Sequence, residues 1–297
     1  MARFTAKSGE IYFEHSGSRA DPRVLLIQGL GCQVVHWPDS LIEGLVDAGL
    51  CAVTFDNRDS GLSHGSEAPP PSLVSLLAAR DDPGDLAPTY SLSDMARDAV
   101  DLLDHIGQGG AHVIGVSMGG MIGQRMAIEH PERVYSLTSI MSSTGNPELP
   151  PPSEEAVGAL LASSGVEDAE AAIPLSIQAW QVFAGPHFDS EKVGGARFAG
   201  LAIERAYRPD GTLRQLAAIL ADGDRRAELE RLKIPTLVIH GDADPLVRVE
   251  AGRETAAVIP GAAYLEIEKL GHDLPEPVLG EIAFAIAGHI RDVEVTR

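Results

Sequence analysis

Short apolar runs recur along this chain, and each ends at a glycine or another turn-forming residue. The runs lie at 24–27, 50–55, 112–114, 134–140, 236–239 and 263–267, after two alternating stretches at 3–6 and 11–15 that predict a hairpin. Short runs that are apolar throughout suit strands buried on both faces of a parallel sheet. Helical spacing separates them at 38–48, 91–106, 118–129 and 277–290, with Ser91 and Asp94 as a capping-box variant. The alternation predicts an α/β fold, with a mostly parallel sheet and helices on both faces.

The alternation of strands and helices breaks between residues 146 and 231. Prolines at 147, 150, 151 and 152 open this stretch, and Ala-rich helical segments without a strand pattern follow. We therefore expect a core domain formed by 1–145 and 232–297, with 146–231 inserted as a helical cap, or lid. A second irregular stretch, 65–88, is rich in Pro and Asp and is predicted to be a surface loop.

Composition excludes several classes of partner. The formal net charge of −20 disfavours nucleic acids and anionic membranes, since both select clustered positive charge. The two cysteines, Cys32 and Cys51, are too few for a disulfide framework, and we expect both to be buried and inert. The histidines show no zinc spacing, so we expect no metal and no other cofactor. No apolar run approaches the roughly 20 residues of a membrane helix, and no signal-peptide pattern is visible. We expect a cytoplasmic protein of undetermined oligomeric state.

Residues 115–119 read Gly-Val-Ser-Met-Gly, a G-x-S-x-G pattern centred on Ser117. The pattern alone is weak, but here it follows a predicted strand and opens a predicted helix, as a nucleophile elbow does. The other interpretations are an ordinary glycine-rich turn with a capping serine and a dinucleotide-binding loop. The glycines do not give the G-x-G-x-x-G spacing that a dinucleotide site needs. The context therefore favours Ser117 as a nucleophile.

A serine nucleophile needs a base and an acid that orients the base. His272 is the preferred base, because it lies in a loop between the last predicted strand and the last helix. His240 ends a strand, and His289 lies within a helix as a solvated or capping residue. Asp244, which follows the 236–239 run, is the preferred acid, whereas Asp242 suits an Asx hydrogen bond in the turn. We expect Asp273 to belong to the loop.

Four motifs, read in order, give the chain a resemblance to the α/β-hydrolase superfamily over nearly its whole length. They are 28–31 (Gln-Gly-Leu-Gly), 56–63 (Asp-Asn-Arg-Asp-Ser-Gly-Leu-Ser), 115–119, and 240–244 followed by Gly271-His272. The form of the second motif is similar to that of the aclacinomycin methylesterase-like subgroup of serine esterases. The resemblance implies an oxyanion hole formed by the backbone N–H groups of Leu30 and Met118. Gln28 departs from the family, which usually has histidine there, and Arg58 is expected to form structural salt bridges.

The function predicted from these residues is hydrolysis of a small to medium apolar carboxylic ester through an acyl-enzyme, with a Ser-His-Asp triad and no cofactor. Gly29, together with aromatic residues of the first loop and the cap, would form the apolar substrate pocket. The aromatic residues are Trp37, Trp180, Phe183 and Phe188. Three alternatives stay open: a carbon–carbon bond hydrolase, a cofactor-free perhydrolase, and a small-molecule receptor without turnover. Against the first, Asp273 stands where such hydrolases usually carry tryptophan after the base.

Overall fold

An eight-stranded sheet forms the centre of the protein in the computed structural model, which describes residues 2–80, 84, 86–188 and 195–297. The strands are β1 Ala2–Thr5, β2 Glu10–Ser16, β3 Arg23–Ile27, β4 Cys51–Phe55, β5 Ala111–Val116, β6 Val134–Ile140, β7 Thr236–Gly241 and β8 Ala263–Ile267. Their order across the sheet is β1-β2-β4-β3-β5-β6-β7-β8. The pairs β1–β2 and β2–β4 are antiparallel, and every other pair is parallel. The predicted hairpin and the predicted parallel sheet are confirmed.

Helices separate most of the strands. They are α1 Asp39–Asp47, α2 Leu73–Ala79, α3 Leu92–His105, α4 Met118–Glu129, α5 Glu154–Leu161, α6 Ala169–Ala184, α7 Gly195–Arg205, α8 Pro209–Asp222, α9 Arg226–Leu229, α10 Val249–Val258 and α11 Glu276–Thr296. At the start of α3 the Ser91 hydroxyl accepts from the Asp94 N–H, while the Asp94 carboxylate accepts from the Ser91 N–H. This reciprocal pair is the predicted capping box, which satisfies two backbone donors that the helix leaves unpaired.

Two apolar clusters cover the two faces of the sheet. Helices α3 and α4 pack on one face through residues such as Leu102 and Ile122. Helices α1 and α11 pack on the other through residues such as Leu41 and Ile286. These four side chains are fully buried, and each such burial contributes about 1.5–3 kcal/mol. Coverage on both faces explains why the strand runs are apolar throughout, and it confirms the predicted layers.

The predicted surface loop at 65–88 is wrong for part of its length, because α2 lies within it. The Ser72 hydroxyl caps this helix by accepting from the Ser75 N–H. Leu76 is buried against Leu213 and Ala217 of α8. The Pro- and Asp-rich flanks suggested an irregular loop, but a short Leu- and Ala-rich segment becomes helical once it packs on another helix. Residues 81–83 and 85 of the predicted loop lie outside the described residues.

Residues 146–231, called the cap below, separate β6 from β7. The described part of the cap contains α5 to α9 and no strand, as the sequence predicted. Cap residues and the loops that follow β3, β5 and β8 line one cavity at the carboxyl ends of the strands. The division into a core domain and a separate cap domain stays a prediction. Within the described residues, no helix combines the length and apolar character needed to span a bilayer.

Candidate active site

Ser117 occupies the sharp turn between β5 and α4. Its backbone has φ 55° and ψ −120°, a region that costs a non-glycine residue about 1–3 kcal/mol. A Cβ on Gly119 would lie 2.0 Å from the Ile27 carbonyl oxygen, and one on Gly115 would lie 2.1 Å from that of Gly119. Both glycines are therefore required by close backbone packing, as the G-x-S-x-G pattern predicted. The turn holds Ser117 at the cavity wall.

His272 and Asp244 form a buried hydrogen-bonded pair at the same cavity. His272 Nδ1 lies 2.7 Å from Asp244 Oδ2, and only 7% of the histidine is exposed. Because the carboxylate accepts at Nδ1, that nitrogen carries a proton, which leaves Nε2 as the nitrogen that can accept one. The backbone N–H of His272 donates to the Phe183 carbonyl of the cap at 2.7 Å. The structure thus brings Ser117, His272 and Asp244 together around one site.

Asp244 is held as a charged acceptor by three hydrogen-bond donors and a nearby histidine. Its Oδ1 accepts from the Leu246 and Val247 N–H groups, each at 2.8 Å. Its Oδ2 faces both His272 and His240, whose Nε2 lies 3.4 Å away. Burial opposes the charge, but the two histidines outweigh it and lower the pKa of Asp244 to about 2. The carboxylate is therefore ionised at neutral pH and suited to orient an imidazole.

The other candidates for the acid and the base were Asp242, His289 and His240. Asp242 is exposed and accepts from the Lys269 N–H, so the Asx bonds predicted for Asp242 are made by Asp244 instead. His289 lies within α11, as predicted, where it is half-buried and burial lowers its pKa. His240 is fully buried, and its Nε2 lies 2.8 Å from the Val247 carbonyl oxygen. Of the three histidines considered as the base, His240, His272 and His289, only His272 lines the cavity.

The loop after β3 approaches the nucleophile closely. Gly29 and Leu30 line the cavity, and a Cβ on Gly29 would lie 3.3 Å from that of Ser117. The Gln28 side chain is buried and accepts from the Gly29 N–H at 3.2 Å, so it supports this loop. Met118 is the first residue of α4, and its N–H has no acceptor within the helix. These positions suit the two predicted oxyanion donors.

The cavity has a volume of about 390 Å³ and a largely apolar wall. Trp180 and Phe183 line it, as predicted. Trp37 and Phe188 do not line it, which corrects their prediction as pocket residues. Trp37 lies two residues before α1 and is buried with that helix in the apolar cluster on one face of the sheet. Phe188 packs against the same cluster.

Two polar residues, His36 and Asp273, line the cavity although the sequence did not predict them there. His36 lies between the rings of Trp180 and Phe198, with centroids 5.8 and 6.2 Å away. Burial lowers the pKa of His36 to about 4, so it is neutral at neutral pH. Asp273, beside the base, lies in the loop after β8 as predicted, but it is buried and lines the cavity. Neither position carries a sequence signal, because only the packing of distant elements buries it.

The remaining residues singled out in the sequence are Arg58 and the two cysteines. Arg58 forms the predicted salt bridge, with Asp98 at 2.6 Å. Cys51 is buried in β4 as predicted, whereas Cys32 is half-buried at the cavity wall, so the predicted burial is wrong for Cys32. Burial, reinforced by the charge of Asp273, raises the pKa of Cys32 to about 12, which keeps that thiol protonated. Within the described residues, no group of three or more His, Cys, Asp or Glu side chains is placed to hold a metal ion.

Comparisons with known proteins agree with this geometry. Residues 22–276 match the family described as the α/β hydrolase fold. The chain is 30% identical over 305 residues to rhodomycin D methylesterase DnrP of Streptomyces peucetius, with 96% of each chain covered. It has the same identity and coverage with rhodomycin D methylesterase DauP of Streptomyces sp. strain C5. Among solved structures, the meta-cleavage product hydrolase CumD of Pseudomonas fluorescens IP01 superposes with a TM-score of 0.76 at 16% identity, covering 98% of both chains. The resemblance to methylesterase-like hydrolases is thereby confirmed, and the chain belongs to the α/β-hydrolase family.

Proposed function

We propose that this protein hydrolyses carboxylic esters, with Ser117 as nucleophile, His272 as general base and Asp244 as the acid that orients the base. The observation that carries the proposal is the 2.7 Å contact between His272 Nδ1 and Asp244 Oδ2 at the cavity that Ser117 lines. Nucleophile, base and orienting acid in this relation are the arrangement of acyl-transfer enzymes. The relatives named as methylesterases support an ester as the bond that is cleaved.

The proposed reaction proceeds through an acyl-enzyme. The Ser117 hydroxyl attacks the ester carbonyl carbon while His272 Nε2 takes its proton, and Asp244 stabilises the resulting imidazolium. The N–H groups of Leu30 and Met118 donate to the oxyanion of the tetrahedral intermediate. His272 then protonates the leaving alcohol, and the ester bond breaks. Water, deprotonated by His272, attacks the acyl-enzyme and releases the carboxylic acid.

The cavity supports an apolar acyl group as the recognised part of the substrate. Its volume of about 390 Å³ suits a compact, ring-sized group, and Trp180 and Phe183 offer aromatic faces. A small alcohol, such as methanol, would leave most of the cavity to the acyl group. We therefore propose small esters of apolar, ring-containing acids as the substrate class.

The test compares the wild type with Ser117→Ala on p-nitrophenyl esters of increasing acyl length and on methyl esters of aromatic acids. We expect wild-type turnover and a loss in kcat on the order of 10⁶-fold in the variant, as for other triad serines. Ser93→Ala, which removes an exposed hydroxyl of α3, is the matched control and should keep the wild-type rate.

Equal rates in wild type and Ser117→Ala would contradict the proposal and favour a receptor that binds without turnover. Two further substrates separate the alternatives on the same triad. Cleavage of a dienoate diketone would identify a carbon–carbon bond hydrolase. Halogenation that depends on peroxide and a carboxylic acid would identify a perhydrolase.

A further inference from the structure

One buried carboxyl group at the cavity has no function in the proposed reaction. Asp273 directly follows the base and is 7% exposed. Its Oδ1 accepts from the Leu274 N–H at 2.8 Å, whereas its Oδ2 is buried and has no hydrogen-bond partner. The residue lines the cavity wall together with Ser117 and His272. Asp273 therefore holds an unsatisfied acceptor within the wall of the cavity that Ser117 and His272 also line.

The surroundings of Asp273 leave this oxygen in need of a donor. No ion pair with Asp273 is present among the described residues, and its ionisation is favoured by the Leu274 N–H and by the charge that His272 carries when it is protonated. Burial raises the pKa of Asp273 to about 6, so the group is mostly ionised at neutral pH despite its apolar setting. A buried carboxylate oxygen without a donor is costly, and a ligand that supplies one recovers that free energy.

We infer that the preferred substrate is an ester that carries a hydroxyl group, and that Asp273 Oδ2 accepts a hydrogen bond from this hydroxyl. The inference deepens the proposed ester hydrolysis and rests on it. Asp273 is adjacent in sequence to His272, which has to reach the ester oxygen, so the hydroxyl lies within a few bonds of the ester carbonyl. The cavity then recognises two features of the substrate, an apolar ring and a hydrogen-bond donor beside the ester.

The expected selectivity follows from the cost of leaving Asp273 unpaired. A plain ester fills the same apolar cavity but leaves the carboxylate oxygen without a donor. A hydrogen bond to a charged group is worth enough to separate the two esters by about 10- to 100-fold in kcat/KM. Sites that bind a substrate hydroxyl generally reject the analogue that lacks it more strongly than apolar pockets reject a missing methylene.

The experiment measures methanol release from methyl 3-hydroxy-3-phenylpropanoate, as separate enantiomers, and from methyl 3-phenylpropanoate. In the wild type we expect one enantiomer of the hydroxy ester to exceed the plain ester by about 10- to 100-fold in kcat/KM. In Asp273→Asn the Oδ1 atom still accepts from Leu274, but an NH₂ donor replaces the free acceptor. The ratio should fall toward one. Glu268→Gln, which removes an exposed carboxylate between β8 and the base, should keep the wild-type ratio.

A pH series distinguishes recognition from a purely structural role. The preference for the hydroxy ester should decline below about pH 6, where Asp273 takes up a proton and becomes a weaker acceptor. The groups that share its charge environment are His272 and the Cys32 thiol, which is uncharged in this range. Any effect of pH on the general base acts on both esters alike and cancels in the ratio. Asp273→Asn should show no such pH dependence in the ratio.

Binding to Ser117→Ala, measured by calorimetry for the same two esters, gives a readout that needs no turnover. The expected result is tighter binding of the hydroxy ester, lost when Asp273→Asn is added. Equal kcat/KM for the two esters in the wild type, together with equal dissociation constants, would overturn the inference and leave the proposed ester hydrolysis standing. Absence of any ester turnover would instead count against the proposed function, while the binding comparison would still decide the role of Asp273.

Discussion

The cap contacts the rest of the molecule through different kinds of interaction on its two sides, one formed by α7 and α8 and the other by α5 and α6. On the side formed by α7 and α8, buried ion pairs reach the loop after β4. Arg205 Nη1 lies 2.7 Å from Asp56 Oδ2, and Arg214 binds Asp59 with two bonds of 2.8 and 2.9 Å. All four side chains are at most 15% exposed. Because these ion pairs are buried and Arg214 binds Asp59 through two hydrogen bonds, they orient α7 and α8 on the loop after β4.

The α7–α8 side also supports the proposed oxyanion loop. Gln215 of α8 accepts from the Gly31 N–H at 2.8 Å and donates to the Arg58 carbonyl at 2.7 Å. Thr212 sits directly over the same glycine, since a Cβ there would lie 2.8 Å from its hydroxyl oxygen. The position of Leu30, next to Gly31, therefore depends on this side of the cap.

The side formed by α5 and α6 is joined to the core mainly through backbone groups. The Ser153 N–H donates to the Pro245 carbonyl at 2.9 Å, and the His272 N–H donates to the Phe183 carbonyl at 2.7 Å. No ion pair between described residues joins this side to the core. The comparison teaches that different parts of the cap support different parts of the site, the oxyanion loop and the base. The first support is ionic and the second is not.

Loss of the Arg214–Asp59 pair should have the largest effect on stability. Arg214→Met keeps the volume of the side chain but leaves a buried carboxylate without its partner, which costs about 3–5 kcal/mol in the free energy of unfolding. Urea denaturation measures the change. Arg253→Met, which breaks an exposed pair with Glu266, is the control and should shift the midpoint far less. Similar shifts for the two variants would mean that the ionic side is not the stronger anchor.

The Arg214–Asp59 pair should contribute less to the free energy of unfolding in acid. Burial opposes the charge of Asp59, but hydrogen bonds from Arg214 and Tyr90 outweigh it and lower its pKa. Unfolded aspartate has a pKa of about 3.9, so the pair stabilises the wild type fully above that pH and is lost as the pH falls through the lower folded pKa. The stability difference between wild type and Arg214→Met should therefore shrink below about pH 4. A difference that stays constant down to pH 2 would contradict an ionic contribution.

The α5–α6 side can be tested at its contact with the base. A Cβ on Gly271 would lie 2.4 Å from the carbonyl oxygens of both Phe183 and Ala184, so Gly271→Ala forces backbone apart. We expect a loss of about 1–3 kcal/mol in stability and a fall in kcat of roughly 100-fold, because His272 is displaced. Gly280→Ala in α11, where a Cβ meets nothing within 4 Å, is the control and should be harmless. Full activity in Gly271→Ala would show that this side of the cap does not position the base.

Much of this arrangement could be predicted from the sequence, because strand-end turns leave local signatures. Ser117, Asp244 and His272 each follow an apolar strand, and parallel strands bring their carboxyl ends to one edge. Trp37 was misplaced because an aromatic residue after a strand can face either side of the sheet, and periodicity does not say which. The burial of Asp273 at the cavity was not predicted, because it comes from elements distant in sequence. Local pattern fixes chemistry at turns, whereas long-range packing decides which side chains line a cavity.

The smallest expected effect concerns the start of α5. The Ser153 hydroxyl caps this helix by accepting from the Ala156 N–H at 3.1 Å. Ser153→Ala should cost about 1 kcal/mol in the free energy of unfolding and change kcat little, since the bond of the Ser153 backbone N–H to Pro245 remains. Ser164→Ala, whose side chain makes no hydrogen bond to another described residue, is the control. A fall in kcat as large as that of Gly271→Ala would mean that the α5–α6 side acts as one rigid unit with the base. An unchanged kcat would mean that the base depends only on the end of α6, where Phe183 and His272 meet.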